Sequence, residues 1–285
     1  MDNHLNTEKE TPPLILYKYG DWENKFHRRL IENREIYFAS ANKFNDPFDC
    51  SVSLRYDLWD ENTRLESNTA TLRKMHPEWN VFKVAVRAKV VSDKQTDDLS
   101  KSLEYSKTYW DNFKYNQNGI FCLTPLYNNL LMWSHYANSH KGFCIGFNTI
   151  LLQQALSNYN KNGGEPAIFY KVQYPQAYPI LIPWVGTNRE NIELLFITLT
   201  TKSREWEYES EWRFIMMGKP GSKVAGTSLN LDDGIIAKVI LGCRMDDYNK
   251  NEVITFLKQY DKKPKLLVAN MAKESFSLEF EELKY

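Results

Sequence analysis

The 285-residue sequence has no long hydrophobic run and no net charge, and each absence excludes a class of protein. No stretch approaches the roughly 20 apolar residues that a membrane-spanning helix needs. The 36 lysines and arginines balance the 36 aspartates and glutamates, so bulk charge does not drive non-specific nucleic-acid binding. We therefore expect no membrane partner, and contact with nucleic acid requires a local basic patch.

Cysteine motifs and the common glycine motifs are also absent. The four cysteines lie far apart and form no CxxC pair: Cys50, Cys122, Cys144 and Cys243. This spacing argues against a zinc site or a disulfide scaffold and is typical of buried thiols in a reducing compartment. GxGxxG, GxxxxGK[ST] and GxSxG do not occur, which removes the usual dinucleotide-fold, P-loop and serine-hydrolase interpretations.

The organisation of the chain indicates one domain. Residues 1–13 are polar and lack an apolar run, so we expect a disordered lead-in, no signal peptide and a cytoplasmic location. Residues 14–285 mix strands and helices without a regular βαβ rhythm, which favours a single α+β domain. Residues 57–116 are charged, glycine-free and helical in pattern, and they predict an inserted helical lobe.

The hydrophobic pattern predicts the individual elements. Strands are expected at 14–19, 36–40, 119–123, 142–147, 167–174, 205–217, 235–241, 264–270 and 275–283. Helices are expected at 22–33, within 129–140, and at 148–159, 188–203 and 246–260.

The segment Trp206–Arg213 alternates acids with large aromatics. Period two is typical of a strand, so the charged side chains should share one face: Glu207, Glu209, Glu211 and Arg213. Three like charges on one strand face are unfavourable unless a cation, metal or ligand lies against them. The stripe is therefore either a solvated face with Lys202 and Arg213 as partners, or a site where Glu209 and Glu211 orient a ribose and stabilise positive charge.

The block from Phe44 to Asp49 contains Asn-Asp-Pro, which is turn chemistry because the residue before proline disfavours helix. Asn45 and Asp46 are placed to bind a ligand hydroxyl or phosphate from a rigid loop. The alternative, which the turn chemistry favours, is a structural turn that docks Phe44 and Phe48 in the core.

Aromatic side chains at two other places suit a flat ring. His135 and Tyr136 can stack on a ring and hydrogen-bond to it. The alternative, and the more common case for a lone histidine, is a helix packed through Trp133 and Tyr136 with His135 or His140 bonded to a backbone carbonyl. In the first strand, the two tyrosines of Tyr17–Tyr19 share one face, and Lys18 points to the other. Lys18 therefore meets either a phosphate or solvent.

Four blocks of sequence, in this order, resemble the bacterial domain-of-unknown-function family 2971. They are LYKY at 16–19, IYFASANKFNDPFD at 36–49, LMWSHYANSHKGFCIGF at 131–147 and KSREWEYESEWRF at 202–214. The resemblance covers residues 14–283. That family is distantly similar to ADP-ribosyltransferases, and this kinship implies a split mixed or antiparallel sheet core that holds NAD in a cleft.

The resemblance also implies roles for individual residues. In the ADP-ribosyltransferases an early strand supplies a polar group to NAD, a middle strand an aromatic ring or serine, and a late glutamate promotes loss of nicotinamide. The early strand here lacks the usual arginine or histidine, and Lys18 or Tyr19 stands in its place. The expected catalytic residues are Glu209 and Glu211, and the expected cofactor-binding residues are Tyr17, Lys18, Tyr19, Tyr37, Ser40, Asn45, Asp46, His135 and Tyr136.

The function implied is cleavage of NAD, with transfer of ADP-ribose to an unknown macromolecular or nucleic-acid acceptor. The implied setting is phage defence or a toxin–antitoxin pair. In such a setting, a regulatory protein is a further candidate partner. Two alternatives remain open. One is a metal-dependent nuclease that holds magnesium with Asp46, Asp49, Glu209 and Glu211; the other is a non-catalytic sensor or interaction module.

Overall fold

The computed structural model describes residues 10–55, 58, 60–97, 104, 107–108, 111–112, 114–182, 188–219 and 221–285. The strands are β1 Ile15–Gly20, β2 Glu35–Tyr37, β3 Asn118–Leu123, β4 Phe143–Asn148, β5 Ala167–Lys171, β6 Trp212–Met217, β7 Ser228–Asn230, β8 Ile236–Leu241, β9 Lys265–Met271 and β10 Leu278–Glu282. The helices are α1 Lys25–Glu32, α2 Glu61–Met75, α3 Val81–Asp97, α4 Leu130–Tyr136, α5 Thr149–Lys161, α6 Asn188–Thr200 and α7 Asp247–Leu257. Two 3-10 helices cover Ala41–Lys43 and Arg204–Glu209.

The strands form three sheets in the described part of the chain. A five-stranded sheet has the order β1-β4-β8-β9-β10, and its β8–β9 pair is parallel while its other pairs are antiparallel. A three-stranded antiparallel sheet has the order β3-β6-β5, and β2 pairs with β7. The predicted α+β class with a mixed or antiparallel sheet is confirmed.

The two larger sheets meet at a short bridge between Tyr17 and Thr124. The Tyr17 N–H donates to the Thr124 carbonyl at 2.7 Å, and the Thr124 N–H donates back at 2.9 Å. The bridge therefore fixes the edge strand β1 beside the end of β3, where the candidate site lies.

A large apolar cluster packs beneath this junction. Leu16, Phe121, Phe147 and Phe214 are fully buried in it and come from β1, β3, β4 and β6. Full burial of each such side chain stabilises the fold by roughly 1.5–3 kcal/mol. Because these strands belong to both sheets, the cluster holds their positions relative to each other.

Gly146 lets the ring of Tyr17 lie across β4. The two residues are directly paired between strands, and a Cβ at position 146 would stand only 2.8 Å from a carbon of the Tyr17 ring. A larger side chain there would displace the tyrosine, so this glycine sets the position of one wall of the site.

Within the segment predicted as a helical lobe, α2 and α3 pack against each other. Val84 and Ala88 are buried at their contact, and the Asn68 amide donates to the Ser92 hydroxyl at 2.9 Å. Much of the predicted lobe after α3 lies outside the described residues. So does most of the predicted lead-in, of which residues 10–13 form no helix or strand.

Most predicted elements are found with ends shifted by a few residues, but the second strand is shorter than expected. It ends at Tyr37 instead of residue 40, and Ala39 forms an isolated bridge to Ile120 of β3. Its partner β7 has only three residues and no apolar run from which a strand could be predicted. Among the described residues, no helix has the length and apolar character needed to cross a membrane.

Candidate functional site

A cavity of about 440 Å³ opens beside the Tyr17–Thr124 bridge. Pockets that bind small molecules commonly enclose about 300–1,000 Å³, so its size suits a ligand. Its walls come from β1, the end of β3, α4 and the segments that carry the acids. The lining residues are Tyr17, Lys18, Tyr19, His27, Ala39, Lys43, Phe44, Asn45, Asp49, Cys122, Leu123, Thr124, Met132, His135, Tyr136, Lys202, Glu209 and Glu211.

The predicted continuous strand over residues 205–217 is wrong. Residues Arg204–Glu209 form a 3-10 helix, Ser210 adopts a left-handed conformation with φ 46°, and β6 begins only at Trp212. The four charged residues therefore do not share one strand face. Glu207 is exposed, whereas Glu209 and Glu211 are 3% and 4% exposed and both line the cavity.

Tertiary contacts explain why this helix and turn replace a strand. The Thr124 hydroxyl donates to the Glu209 carbonyl at 2.6 Å, and the Asn129 amide donates to the Tyr208 carbonyl at 3.1 Å. These bonds give the carbonyls partners that a sheet would otherwise supply. They also deliver Glu209 to the cavity without placing three like charges side by side.

Lys202 is the cation at the centre of the acidic group. Its ammonium donates to Glu209 Oε2 at 2.6 Å and to Glu211 Oε2 at 3.3 Å, and it lies 3.3 Å from Asp49 Oδ2. The ring of Trp206 covers it, with its centroid 4.8 Å away. One buried cation therefore contacts three buried carboxylates.

Arg213 supplies the second cation from β6 and is fully buried. Its Nε donates to Glu211 Oε1 at 2.8 Å, and its Nη2 donates to both Asp49 carboxyl oxygens at 2.8 Å. Its Nη1 donates to the Leu199 carbonyl at 2.7 Å and to the Cys50 sulfur at 3.1 Å. With every N–H group engaged, Arg213 orients Glu211 and Asp49 instead of meeting a ligand.

The environment drives the two glutamates apart in pKa. Burial raises the pKa of Glu209, and the nearby Glu211 carboxylate adds to this against the opposing Lys202. Burial also opposes ionisation of Glu211, but Arg213 and Lys202 outweigh it and lower the pKa of Glu211 to about 2. Glu211 is therefore held as an anion, while Glu209 binds a proton more readily.

Two tyrosines hold the glutamates, one at a carboxylate and one at the backbone. The Tyr136 hydroxyl donates to Glu209 Oε1 at 2.6 Å, and burial together with Glu209 raises the pKa of Tyr136 so that it keeps its proton. The Glu211 N–H donates to the Tyr174 hydroxyl at 3.0 Å. Helix α4, which carries Tyr136, is capped at its start by the side chain of Asn129, which also donates to the Tyr208 carbonyl.

The structure brings most of the sequence-predicted residues to this one cavity. Glu209 and Glu211 line it together with Tyr17, Lys18, Tyr19, Asn45, His135 and Tyr136. The Tyr19 hydroxyl donates to the Leu126 carbonyl at 2.8 Å, and burial raises the pKa of Tyr17 to about 12. Both tyrosines therefore present neutral rings.

Three predicted cofactor-binding residues lie elsewhere. Tyr37 lines a neighbouring cavity, and the Ser40 hydroxyl donates to the Tyr115 carbonyl at 2.6 Å. Asp46 is buried and accepts the Phe48 N–H at 2.9 Å, so the Asn-Asp-Pro block is the turn that its chemistry favoured. The expected docking of Phe48 in the core is wrong, because its ring is 74% exposed.

The sequence predicted Asp49 only as a magnesium ligand, and Lys202 and Arg213 only as partners of the glutamates, so the pairing of both cations with Asp49 was missed. A signal was present, since Lys202 and Arg213 bracket the two glutamates and buried carboxylates need cations. Asp49 had no such signal, because it lies 164 residues from Arg213 in sequence.

The carboxylates already have protein cations as partners, which gives no support to a magnesium site. Glu209, Glu211 and Asp49 are bound by Lys202 and Arg213, and Asp46 closes its own turn. In the part of the chain that the structure describes, no group of three or more His, Cys, Asp or Glu side chains is arranged to hold a metal ion.

Residues 132–214 match the model of a family described as "Protein of unknown function (DUF2971)". The matched segment runs from α4 to β6 and includes Tyr136, Lys202, Glu209 and Glu211. No curated protein matches the chain, and no solved structure matches it. The resemblance to family 2971 is thus supported over this segment, while the likeness to ADP-ribosyltransferases stays a prediction.

Proposed function

We propose that the cavity is the active site of an enzyme that breaks the N-glycosidic bond of NAD and transfers ADP-ribose to an acceptor. The observation that carries this proposal is the pair Glu209 and Glu211, which line one cavity with pKa values displaced in opposite directions. Neighbouring carboxyl groups driven apart in pKa are typical of sites that separate an anionic role from a proton-transfer role.

Glu211 suits the anionic role. When the bond between C1′ of the ribose and nicotinamide breaks, its electron pair goes to the ring nitrogen, and nicotinamide leaves neutral. Positive charge then remains on the ribosyl carbon and ring oxygen. A carboxylate kept ionised by Arg213 and Lys202 stabilises that charge, and it is already oriented before the reaction begins.

Glu209 suits the proton-transfer role. As the acceptor oxygen or nitrogen bonds to C1′, its proton must move to a base, and a carboxylate with a raised pKa is the better one. Tyr136 and Lys202 each donate one hydrogen bond to Glu209. An ionised carboxylate offers about four acceptor positions, so Glu209 keeps capacity for the incoming proton.

The rest of the cavity fits the other parts of the ligand. Tyr17, Phe44 and Tyr136 provide aromatic surface for the nicotinamide ring. Lys43 lies on the same lining and carries positive charge for the pyrophosphate.

A purely structural role for the charged group explains less. Removing five charged side chains from water is costly, and well-packed apolar residues in their place are often as stable or more so. A network kept only for stability also has no reason to open onto a ligand-sized cavity. A catalytic role accounts for both features.

The proposal is tested by replacing each glutamate with its isosteric amide. Glu209→Gln and Glu211→Gln are each expected to lower the rate of nicotinamide release from NAD by about 10²-fold or more. The rate is measured by chromatography, with candidate protein and nucleic-acid acceptors present. Glu207→Gln is the matched control, because Glu207 sits in the same 3-10 helix but is exposed; its rate should equal that of the unaltered protein.

Folding must be checked for each variant, since Glu211 belongs to a buried ion network. Thermal unfolding separates loss of fold from loss of chemistry. Folded variants that release nicotinamide as fast as the unaltered protein would contradict the proposal. So would an unaltered protein that releases none with any acceptor.

A further inference from the structure

A second cavity of about 530 Å³ adjoins the first. The two share part of their lining, including Lys18, His27 and Phe44. The second cavity extends from this shared part to α1, β2 and the turn at Gly226. A ligand bound there would lie beside the carboxylate cavity and not in it.

Two unusually exposed aromatic rings line this second cavity. Phe26 is 63% exposed and Tyr37 is 49% exposed. Neither ring is needed to fill the core, and the Tyr37 hydroxyl forms no hydrogen bond with the described residues. Gly226 has φ +97°, and a Cβ there would lie 3.7 Å from the Tyr37 hydroxyl. The left-handed backbone at this position, and not lack of space, favours glycine beside Tyr37.

The Lys18 ammonium lies where the two cavities meet and has no acidic partner among the described residues. The Lys18 ammonium donates to the Cys122 carbonyl at 3.2 Å and lies 5.0 Å from the Phe121 ring centroid. It forms no ion pair within the described part of the chain. An anion is the partner that would complete its interactions.

His27 adds a second donor at the same place. Its Nδ1 accepts the Asp21 N–H at 3.1 Å, which assigns the proton of the neutral ring to Nε2. Burial and the charge of Lys18 lower the pKa of His27 and favour this neutral form. The junction therefore presents an ammonium group and an imidazole N–H.

We propose that the second cavity binds a nucleoside phosphate, with its base against Phe26 and Tyr37 and its phosphate at Lys18 and His27. Any of the bases can stack on an exposed aromatic ring. Phosphate oxygens accept charge-assisted hydrogen bonds, here from the Lys18 ammonium. This inference does not depend on the proposed function. A mononucleotide would bind here whether or not Glu209 and Glu211 cleave a glycosidic bond.

Isothermal titration of the full chain with adenosine 5′-monophosphate tests the inference. Adenosine and inorganic phosphate are titrated separately, and each is expected to bind at least about tenfold more weakly than the mononucleotide. Phe26→Ala and Tyr37→Ala should each weaken binding at least about fivefold. Lys18→Met should weaken it by a similar factor and reduce its dependence on salt. The two rings are largely exposed, so their removal leaves the core intact.

Three controls locate the ligand. Phe276→Ala removes a fully exposed ring outside both cavities, and Lys284→Met removes an exposed lysine; neither should change the affinity. Tyr136→Phe alters only the first cavity and should also have no effect. Absence of binding, or unchanged affinity in the Phe26, Tyr37 and Lys18 variants, would overturn the inference. Weaker binding to Tyr136→Phe alone would do so as well, because the ligand would then occupy the carboxylate cavity.

Discussion

Lys202 determines the charge state of the candidate site at the scale of single residues. It contacts Asp49, Glu209 and Glu211, opposes the rise that burial causes in the pKa of Glu209, and together with Arg213 lowers the pKa of Glu211. Burial opposes its own charge, but the three carboxylates outweigh burial and raise the pKa of Lys202, so it stays protonated. Arg213 alone cannot replace it, because no hydrogen bond joins Arg213 to Glu209.

Lys202→Met is therefore expected to destabilise the fold by about 3–5 kcal/mol near neutral pH, the usual cost of removing one partner from a buried ion pair. Urea unfolding followed by fluorescence measures the change. Lys284→Met replaces an exposed lysine and is expected to stay within about 0.5 kcal/mol.

The loss of stability in Lys202→Met should depend on pH, and the pKa of Glu211 gives the direction. The pKa of Glu211 lies below its ordinary 4.5, so the ionised side chain contributes stability above that pH. That contribution disappears as the pH falls toward about 2. The stability difference between the unaltered protein and Lys202→Met should therefore be largest above pH 4.5 and shrink on acidification. A difference that stays constant over this range would show that Lys202 acts through packing and not through charge.

At the scale of elements, the turn at Ser210 separates the 3-10 helix from β6 and lets Glu209 and Glu211 reach the same cavity. The turn is closed by the Ser210 N–H, which donates to the Glu207 carbonyl at 3.1 Å. Its left-handed backbone, with φ 46°, is unfavourable for most side chains and worst for β-branched ones.

Ser210→Val should therefore cost about 1–2 kcal/mol of unfolding free energy, whereas Ser210→Gly should be neutral within about 1 kcal/mol. Thermal unfolding measures both. Ser157→Val, at an exposed position in α5, is the matched control and should change little. If Ser210→Val were as stable as the unaltered protein, the left-handed turn would not be a constraint on the site.

How far the sequence predicts the elements depends on how distinct their patterns are. Strand β4, Phe143–Asn148, was predictable from the sequence. A short apolar run bounded by turn residues is typical of a buried strand. The segment Trp206–Arg213 was not, because its alternation fits a strand while its carbonyls are taken by Thr124 and Asn129. Those bonds span 85 and 79 residues of sequence, and local pattern carries no information about them.

The ligand-facing residues of the candidate site and two of its cations were predictable, but the complete ion network was not. Tyr17 and Glu211 were linked through the order of motifs along the chain, and the structure places them in one cavity. Lys202 and Arg213 were expected as partners of the glutamates, but their pairing with Asp49 was not, because only the folded topology brings Asp49 to Arg213. Burial, which decides the pKa of each carboxyl, also follows from packing and not from the sequence pattern.

At the scale of the whole molecule, the site exists only where the two larger sheets meet. Tyr17 comes from the five-stranded sheet, Thr124 follows β3, and Glu209 precedes β6. No single sheet or helix contains the cavity. Its shape therefore depends on the contact between sheets that the Tyr17–Thr124 bridge and the apolar cluster maintain.

The most direct test of the account is a crystal structure of the protein with a carbocyclic NAD analogue, whose glycosidic bond cannot be cleaved. The account predicts the nicotinamide end of the analogue in the carboxylate cavity, with the cyclopentane ring that replaces the ribose next to Glu209 and Glu211. An analogue bound away from both glutamates, or a cavity that stays empty at concentrations that saturate the protein in solution, would contradict it.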